Sequence, residues 1–267
     1  MLTYCINLAT SEDRRAFMQR QFDALQMPVD WINAVDGRTL SADVLKQQCN
    51  RNKQLMHSGK ALVAGEIGCV LSHHKAYQNL LESQQSSCLI LEDDVDLSRV
   101  KSDVLAECAT VLDQEKPCVI LLLPIKQYYK QGAIKLAGEP YQLVKAFRGL
   151  GAFAYMVNRS AAQFLLKLNQ PIQHVIDPWN LIQLFYPGKV DFYATLPAVV
   201  TVDEATNADS AIDSVSSRKN NKKRSLLHVI YGAIRLRLLL SEWFQHLCGR
   251  MVKIPKGQRN TWQGTDS

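Results

Sequence analysis

Residues 89–97 read LILEDDVDL, so three apolar residues run directly into three carboxylates, Glu92, Asp93 and Asp94, with Asp96 close behind. Carboxylates this crowded repel one another, and one withdrawn from water without a partner is costly. A divalent cation relieves both problems, and an all-oxygen donor set suits the hard ions Mg2+ and Mn2+ better than zinc. In a locally extended chain alternate side chains share a face, which turns Glu92 and Asp94 toward one ligand and Asp93 away from it. The competing reading is a solvated acidic turn, with Asp96 capping the helix that follows.

Such a cluster matters only if the fold delivers it to a crevice. The stretch CLILE reads as a buried strand, and in open α/β sheets ligands bind outside the carboxyl ends of the strands. The neighbouring pattern supports that class. LTYCINL is a strand, followed by a helix that Ser11 can cap, with Met18, Phe22 and Leu25 on one face. VDWINAV is a second strand, closed by the turn pair Asp36-Gly37, and SADVLKQQC is a short helix. In GEIGCVLSHHKAYQNLLESQ, Ile67, Val70, Leu71, His74, Tyr77 and Leu81 mark one helical face, whereas His73 points elsewhere with Cys69, Ala76 and Leu80. A helix around SDVLAECATVL, the strand CVILLLP, a polar insert, the strand LGAFAYMV and a helix capped by Asn158 follow. Strands alternating with helices predict an α/β fold with a mainly parallel sheet flanked by helices.

Composition narrows the class further. At 267 residues and 47% hydrophobic, the chain suffices for one substantial core or for a core and a tail. Seven cysteines, odd in number, widely spaced and without a CxxC pair, suit buried thiols in a reducing compartment and not a disulfide scaffold or zinc site. No basic, apolar leader opens the sequence, which predicts a cytoplasmic protein. From Arg218 onward there are 11 Lys/Arg against 2 Asp/Glu, whereas residues 1–217 carry 20 against 23. We therefore expect a catalytic body over 1–215, a polar and basic linker over 216–224 and a helical tail over 225–267.

That tail carries basic residues on one side and broken apolar runs elsewhere. Arg235 and Arg237 interrupt the apolar runs, which disfavours a membrane span. An amphipathic helix lying on an anionic membrane surface fits better, and packing against the body or a second copy is the alternative. Nucleic-acid binding is disfavoured because Leu and Ile dominate and no aromatic-interleaved basic groove is present.

Three stretches together, INLATSEDRR, GEIGCVLSHHKAY and LILEDDV, resemble glycosyltransferase family 25, the lipooligosaccharide galactosyl- and glucosyltransferases and the related collagen galactosyltransferases. Downstream GLGAFAYMVNRSAA, HVIDPW and LPAVVTVDEATNADSAI extend the resemblance to about residue 212. Tyr77 stands where members often carry Trp, and Gly151-Ala152 where they carry Gly-Thr.

The resemblance implies a GT-A-like fold, a UDP-sugar donor, a Mn2+ or Mg2+ ion held by the EDD triplet, and inversion at the sugar. Glu92 and Asp94 would be the metal ligands, with Asp94 the leading ligand and catalytic group, and Asp93 a nucleotide contact. Asn7 and Leu8, with Arg14 or Arg15, follow the first strand where such folds place the nucleotide. Asp36 and Gly37 lie near the nucleotide in the family, and Ser72 and His73 would face the donor. Asp177, held before a proline among apolar groups, would be the base or an acceptor contact, or else only a helix cap. Surface solvation for the arginines and core packing for His73 remain the alternatives. The implied acceptor is a lipooligosaccharide or another glycan at the inner membrane, with galactose favoured over glucose. Two rivals from other classes are a Mg2+-dependent phosphohydrolase, for which only Asp13 follows the first strand, and a non-catalytic sugar-nucleotide-binding protein.

Overall fold

The computed structural model describes residues 1–136, 139–149, 151–177, 179–202 and 226–260. Its centre is a sheet in the order β10 (Asp191–Leu196), β5 (Cys118–Leu121), β9 (Ala154–Asn158), β3 (Ser87–Glu92), β1 (Leu2–Asn7) and β2 (Asp30–Asn33). Five of these six strands run the same way, and β9 alone opposes both its neighbours. The expected mainly parallel sheet thus holds at the centre. Beyond β10 the sheet continues antiparallel through β8 (Gln142–Arg148), β6 (Gln127–Tyr129) and β12 (Met251–Lys253), with β7 (Ile134–Lys135) alongside β8. The polar stretch read as an insert therefore supplies strands β6 to β8; its short apolar runs carry too weak an alternation to reveal them.

Alternation along β3 builds two cores. Cys88 and Ile90 face Tyr77 and Leu80 of α4 (Ala64–Glu82) and Ala161, Ala162 and Leu165 of α6 (Arg159–Leu168). Leu89 and Leu91 face Met18 and Phe22 of α1 (Glu12–Ala24) and Val104, Leu105, Cys108 and Leu112 of α5 (Ser102–Leu112). Helices thus cover both sides, which is why the strands read as continuous apolar runs. Each fully buried Leu or Phe contributes roughly 1.5–3 kcal/mol. The buried side of helix α4 is broad, and His73 and His74, expected on different sides, are both inside it.

Local signals start several elements. Ser41 caps α2 (Ala42–Gln48), accepting from the Val44 amide, and Asn50 caps α3 (Arg51–Ser58). The Asn158 side chain accepts from the amides of Ala161 and Cys118, tying α6 to β5. Ser11 occupies the cap position of α1 without a side-chain hydrogen bond. Asp96 lies in β4 (Val95–Asp96) and accepts from the Ser98 amide, so it caps a turn and not α5, whose cap position is Lys101. Short β11 (Thr201–Val202) pairs with β4.

The expected linker at 216–224 lies outside the described residues. Beyond it α8 (Leu226–Leu247) packs on α3, and a Cβ added at Gly59 would come within 2.9 Å of the Tyr231 ring. Gln127 Nε2 donates to Glu242 Oε1 at 2.6 Å, and β12 pairs with β6. The described tail is thus built onto the body and is not helical throughout. No helix among the described residues is long and apolar enough to cross a membrane, and all seven cysteines are free thiols.

Candidate active site

Parallel pairing of β1 with β3 sets Ile6 opposite Glu92, so both strands end at one edge of the sheet. There the Asn7 amide donates to Asp93 Oδ2 at 2.7 Å and to the Ser11 carbonyl at 3.1 Å. Arg14 Nη1 adds a 3.1 Å ion pair to Asp93 Oδ1. Glu92 turns the other way, 3.3 Å from His73 Nε2. Behind it His73 Nδ1 lies 2.9 Å from the Tyr155 hydroxyl, which is 2.7 Å from that of Tyr77. With Glu92 ionised it accepts from His73 Nε2–H, leaving Nδ1 to accept from Tyr155. Burial pushes both phenols up, so the chain consists of neutral donors that fix the imidazole. Tyr77, where the resemblance favours Trp, thereby finds its partner in Tyr155.

These groups wall a cleft enclosing ≈ 690 Å³ of solvent-open space. Of the residues singled out in the sequence, Leu8, Arg14, Asp36, Gly37, Ser72, His73, Glu92 and Asp93 line it. Asn7, 3% exposed, acts beneath it through Asp93. Some lining residues have visible structural duties. Ser72 Oγ accepts from the Val35 amide and donates to the Gly68 carbonyl. A Cβ on Gly37 would sit 1.7 Å from the Ala64 carbonyl oxygen, so glycine lets α4 approach the loop after β2. Asp36 pairs with Arg38 and caps the turn at Gly37–Thr39, and the Arg38 hydrogen bonds lower its pKa.

Three of the residues singled out in the sequence lie outside this cleft. Arg15 stacks over the Trp31 ring at 4.4 Å and does not line the cleft. Asp94 shares no wall with Glu92, because residues 93–94 form a turn and the alternation of an extended strand stops there. Asp177 also lies off this cleft, with Oδ2 accepting from the Gly151 amide at 2.8 Å. Gly151 has φ +82°, a left-handed conformation suited to glycine, and its carbonyl accepts from Trp179 Nε1 at 3.0 Å. Burial raises the Asp177 pKa, and Glu92 and His73 act on it in opposite senses, so it belongs to the same electrostatic centre.

Of the three carboxylates, Asp94 carries the mark of a group that a divalent cation would satisfy. Asp94 Oδ1 is buried without a hydrogen-bond partner, and its pKa is pushed up to about 6 by burial and then by Glu92 and Asp93, partly offset by Arg14. A dication would favour the ionised form and draw that pKa back down. Among the described residues, the group of three or more donors whose atoms lie within 4.8 Å of one another is Cys69, His73 and Glu92, without Asp93 or Asp94. Burial and the nearby carboxylates hold the Cys69 thiol well above its ordinary pKa, which suits a hard cation poorly. Sequence reasoning did not reach Tyr155, Trp179 or Cys69 as parts of the site; they are apolar-run residues whose roles depend on β9 lying beside β3.

The family profile described as glycosyltransferase family 25 (LPS biosynthesis protein) matches residues 1–179. The chain is 30% identical over 179 residues to the mouse "Inactive glycosyltransferase 25 family member 3", covering 65% of this chain and 30% of that protein. It is 28% identical over 181 residues to a Drosophila pseudoobscura glycosyltransferase 25 family member, covering 65% and 28%. Human procollagen galactosyltransferase 2 matches at 26% over 173 residues, covering 62% and 27%. The chain spans less than a third of the length of these relatives. With a profile match over two thirds of its length, including both strand ends that meet at the cleft, the chain belongs to glycosyltransferase family 25.

Proposed function

We propose that the chain is an inverting, metal-dependent hexosyltransferase of GT-A-like fold that moves a sugar, galactose before glucose, from a UDP-sugar to a hydroxyl of lipooligosaccharide or a related glycan. The observation that carries this reading is the meeting of Asn7, Arg14, Glu92 and Asp93 where parallel β1 and β3 end. Galactose rests on the resemblance and on the name of the human relative.

Glu92 and Asp94, with Asp93 beside them, would hold Mn2+ or Mg2+. Bound there, the cation would offset the charge that grows on the departing diphosphate. The chain's own groups do the rest. Asn7 and Arg14 keep Asp93 fixed, and His73, held by Tyr155, orients Glu92. Asp177 takes the proton from the acceptor hydroxyl as its oxygen bonds to the anomeric carbon, and the carbon–oxygen bond to UDP breaks with its electrons leaving on the diphosphate. Burial keeps Asp177 a stronger base than an exposed aspartate.

Helix α8 would bring this chemistry to an anionic membrane. Val229, Leu236, Leu240, Trp243 and Leu247 are each more than half exposed and stack on one stripe at about 100° per residue, with Arg235 and Arg237 at its borders. A second reading, donor binding without turnover, is favoured by the mouse relative's name.

The test is release of UDP from a panel of UDP-sugars with and without Mn2+. Metal-dependent release is expected, and Asp94→Asn should lower it roughly 100-fold or more, matching the several kcal/mol a cation supplies. Binding without release in the intact protein establishes the second reading. Neither binding nor release with any donor removes the transferase reading.

A further inference from the structure

Asp177 also lines a second hollow, enclosing ≈ 810 Å³ between α3, the chain around Asp177 and α8. The wall opposite the body is supplied by Tyr231 and Arg235 of α8, and Asn180 of α7 (Trp179–Phe185) stands beside them. These three residues lie beyond the stretch that matches the family profile.

The lining combines an aromatic ring, an amide, an imidazole and one carboxylate, groups that together suit a sugar's apolar faces and hydroxyls. Its charge balance is more specific. Among the described residues Arg235 has no carboxylate partner. His57 stacks on His174 at 4.3 Å, and burial lowers the pKa of both, to about 3 for His174. Both rings are thus neutral near pH 7. Among the described lining residues Arg235 is the one cation, set with Asp177 as the one acid. Arg235 also borders the exposed apolar stripe of α8, which sets the hollow beside any bilayer that the stripe meets.

Resting on the transferase reading, we infer that this hollow holds the acceptor glycan with its hydroxyl at Asp177, and that Arg235 selects acceptors bearing an oxyanionic substituent, a phosphate or a carboxylate. A guanidinium recognises either group through paired N–H donors, which a lysine reproduces only in part.

The experiment uses the full chain with a phosphorylated lipooligosaccharide core, the same core after phosphatase treatment, and the same core after reduction of its carboxyl groups. Removing the recognised group is expected to raise the acceptor KM of the wild-type protein about ten-fold, the worth of one charge-assisted pair. Arg235→Ala should raise the KM for the untreated core to that level and leave it indifferent to the treatment. Arg235→Lys should recover part of the preference, and the donor KM should stay within about twofold, since Arg235 is off the donor cleft. The treatment that raises KM identifies the source of the charge. An acceptor KM that Arg235→Ala leaves unchanged overturns the inference, as does equal use of all three cores by the wild type. If the wild type turns over no donor, calorimetric titration with the same cores still decides the matter. Weaker binding by Arg235→Ala supports the hollow while the transferase reading falls, and equal binding overturns both.

Discussion

The donor-side cleft and the hollow that Asp177 lines are built on different terms. The donor-side cleft is made wholly of residues within the family match, and its polar groups are already committed to one another: Asn7 and Arg14 to Asp93, Ser72 to Val35 and Gly68, His73 to Glu92 and Tyr155. The α8-side hollow draws one wall from beyond that match and leaves Arg235 exposed. Fixed geometry suits a ligand that every member shares in kind, since prepaid orientation lowers the cost of charge stabilisation. A wall added from the C-terminal segment can change without disturbing it. On the proposed reading, the donor is handled by the shared architecture and the acceptor by what this chain adds.

Asp177 lines the second hollow, and on the proposed reading removing its carboxylate gives the largest expected effect. Asp177→Asn should cut transfer by about 10²–10⁴-fold while the donor KM changes little, because the carboxylate acts on the acceptor. The pH dependence has a definite sign. The base works ionised, and burial raises its pKa from 3.8. Transfer should therefore fall as pH drops, with the acidic limb above the ordinary carboxylate range. A transfer rate that stays flat down to pH 4, or an Asn variant with near wild-type turnover, would remove Asp177 as the base.

The second test separates the two faces of α8. Its inner residues Tyr231, Ile234 and Leu238 line the hollow, whereas Leu240 is 55% exposed on the outer stripe. Leu240→Glu should leave the melting temperature nearly unchanged and lower partition onto anionic liposomes about ten-fold, the equivalent of losing one buried leucine. Point substitution is the sharper tool, since truncating the tail also strips β12 from the sheet. Undiminished flotation would assign the outer stripe to something other than lipid.

How far the sequence could be read follows the same division. The central strands and α1, α4, α5 and α6 were legible because apolar runs and caps are local signals. So was the cluster at Glu92, Asp93 and Asp94, where a hydrophobic strand meets charge. The turn at 93–94 was not, and it decides that Glu92 faces His73 while Asp93 faces Asn7 and Arg14. Tyr155 and Trp179 were hidden because their partners are distant in sequence: Tyr155 meets His73 across 82 residues, and Trp179 meets Gly151 across 28. The docking of α8 depends on Tyr231 meeting Gly59, a long-range contact that its own amphipathic pattern does not reveal.

The smallest effect tests how finely the donor-side geometry is divided between neighbours. Arg14 and Arg15 are adjacent on α1 and could not be told apart by pattern. Helical geometry turns consecutive residues by about 100°, so only one can reach Asp93. Arg14 does, whereas Arg15 lies over Trp31, which itself packs edge-on against Phe22. Arg15→Ala should therefore cost about 0.5–1 kcal/mol of stability, the range for a surface cation–π contact, with no change in donor affinity. Arg14→Ala should instead weaken donor binding, because Asp93 loses the charge that fixes it against Glu92 and Asp94. Denaturant unfolding and UDP titration of both variants would show the split. If Arg15→Ala weakens UDP binding as much as Arg14→Ala does, then position on α1 does not divide the two roles, and the donor cleft extends past the wall drawn by Asp93.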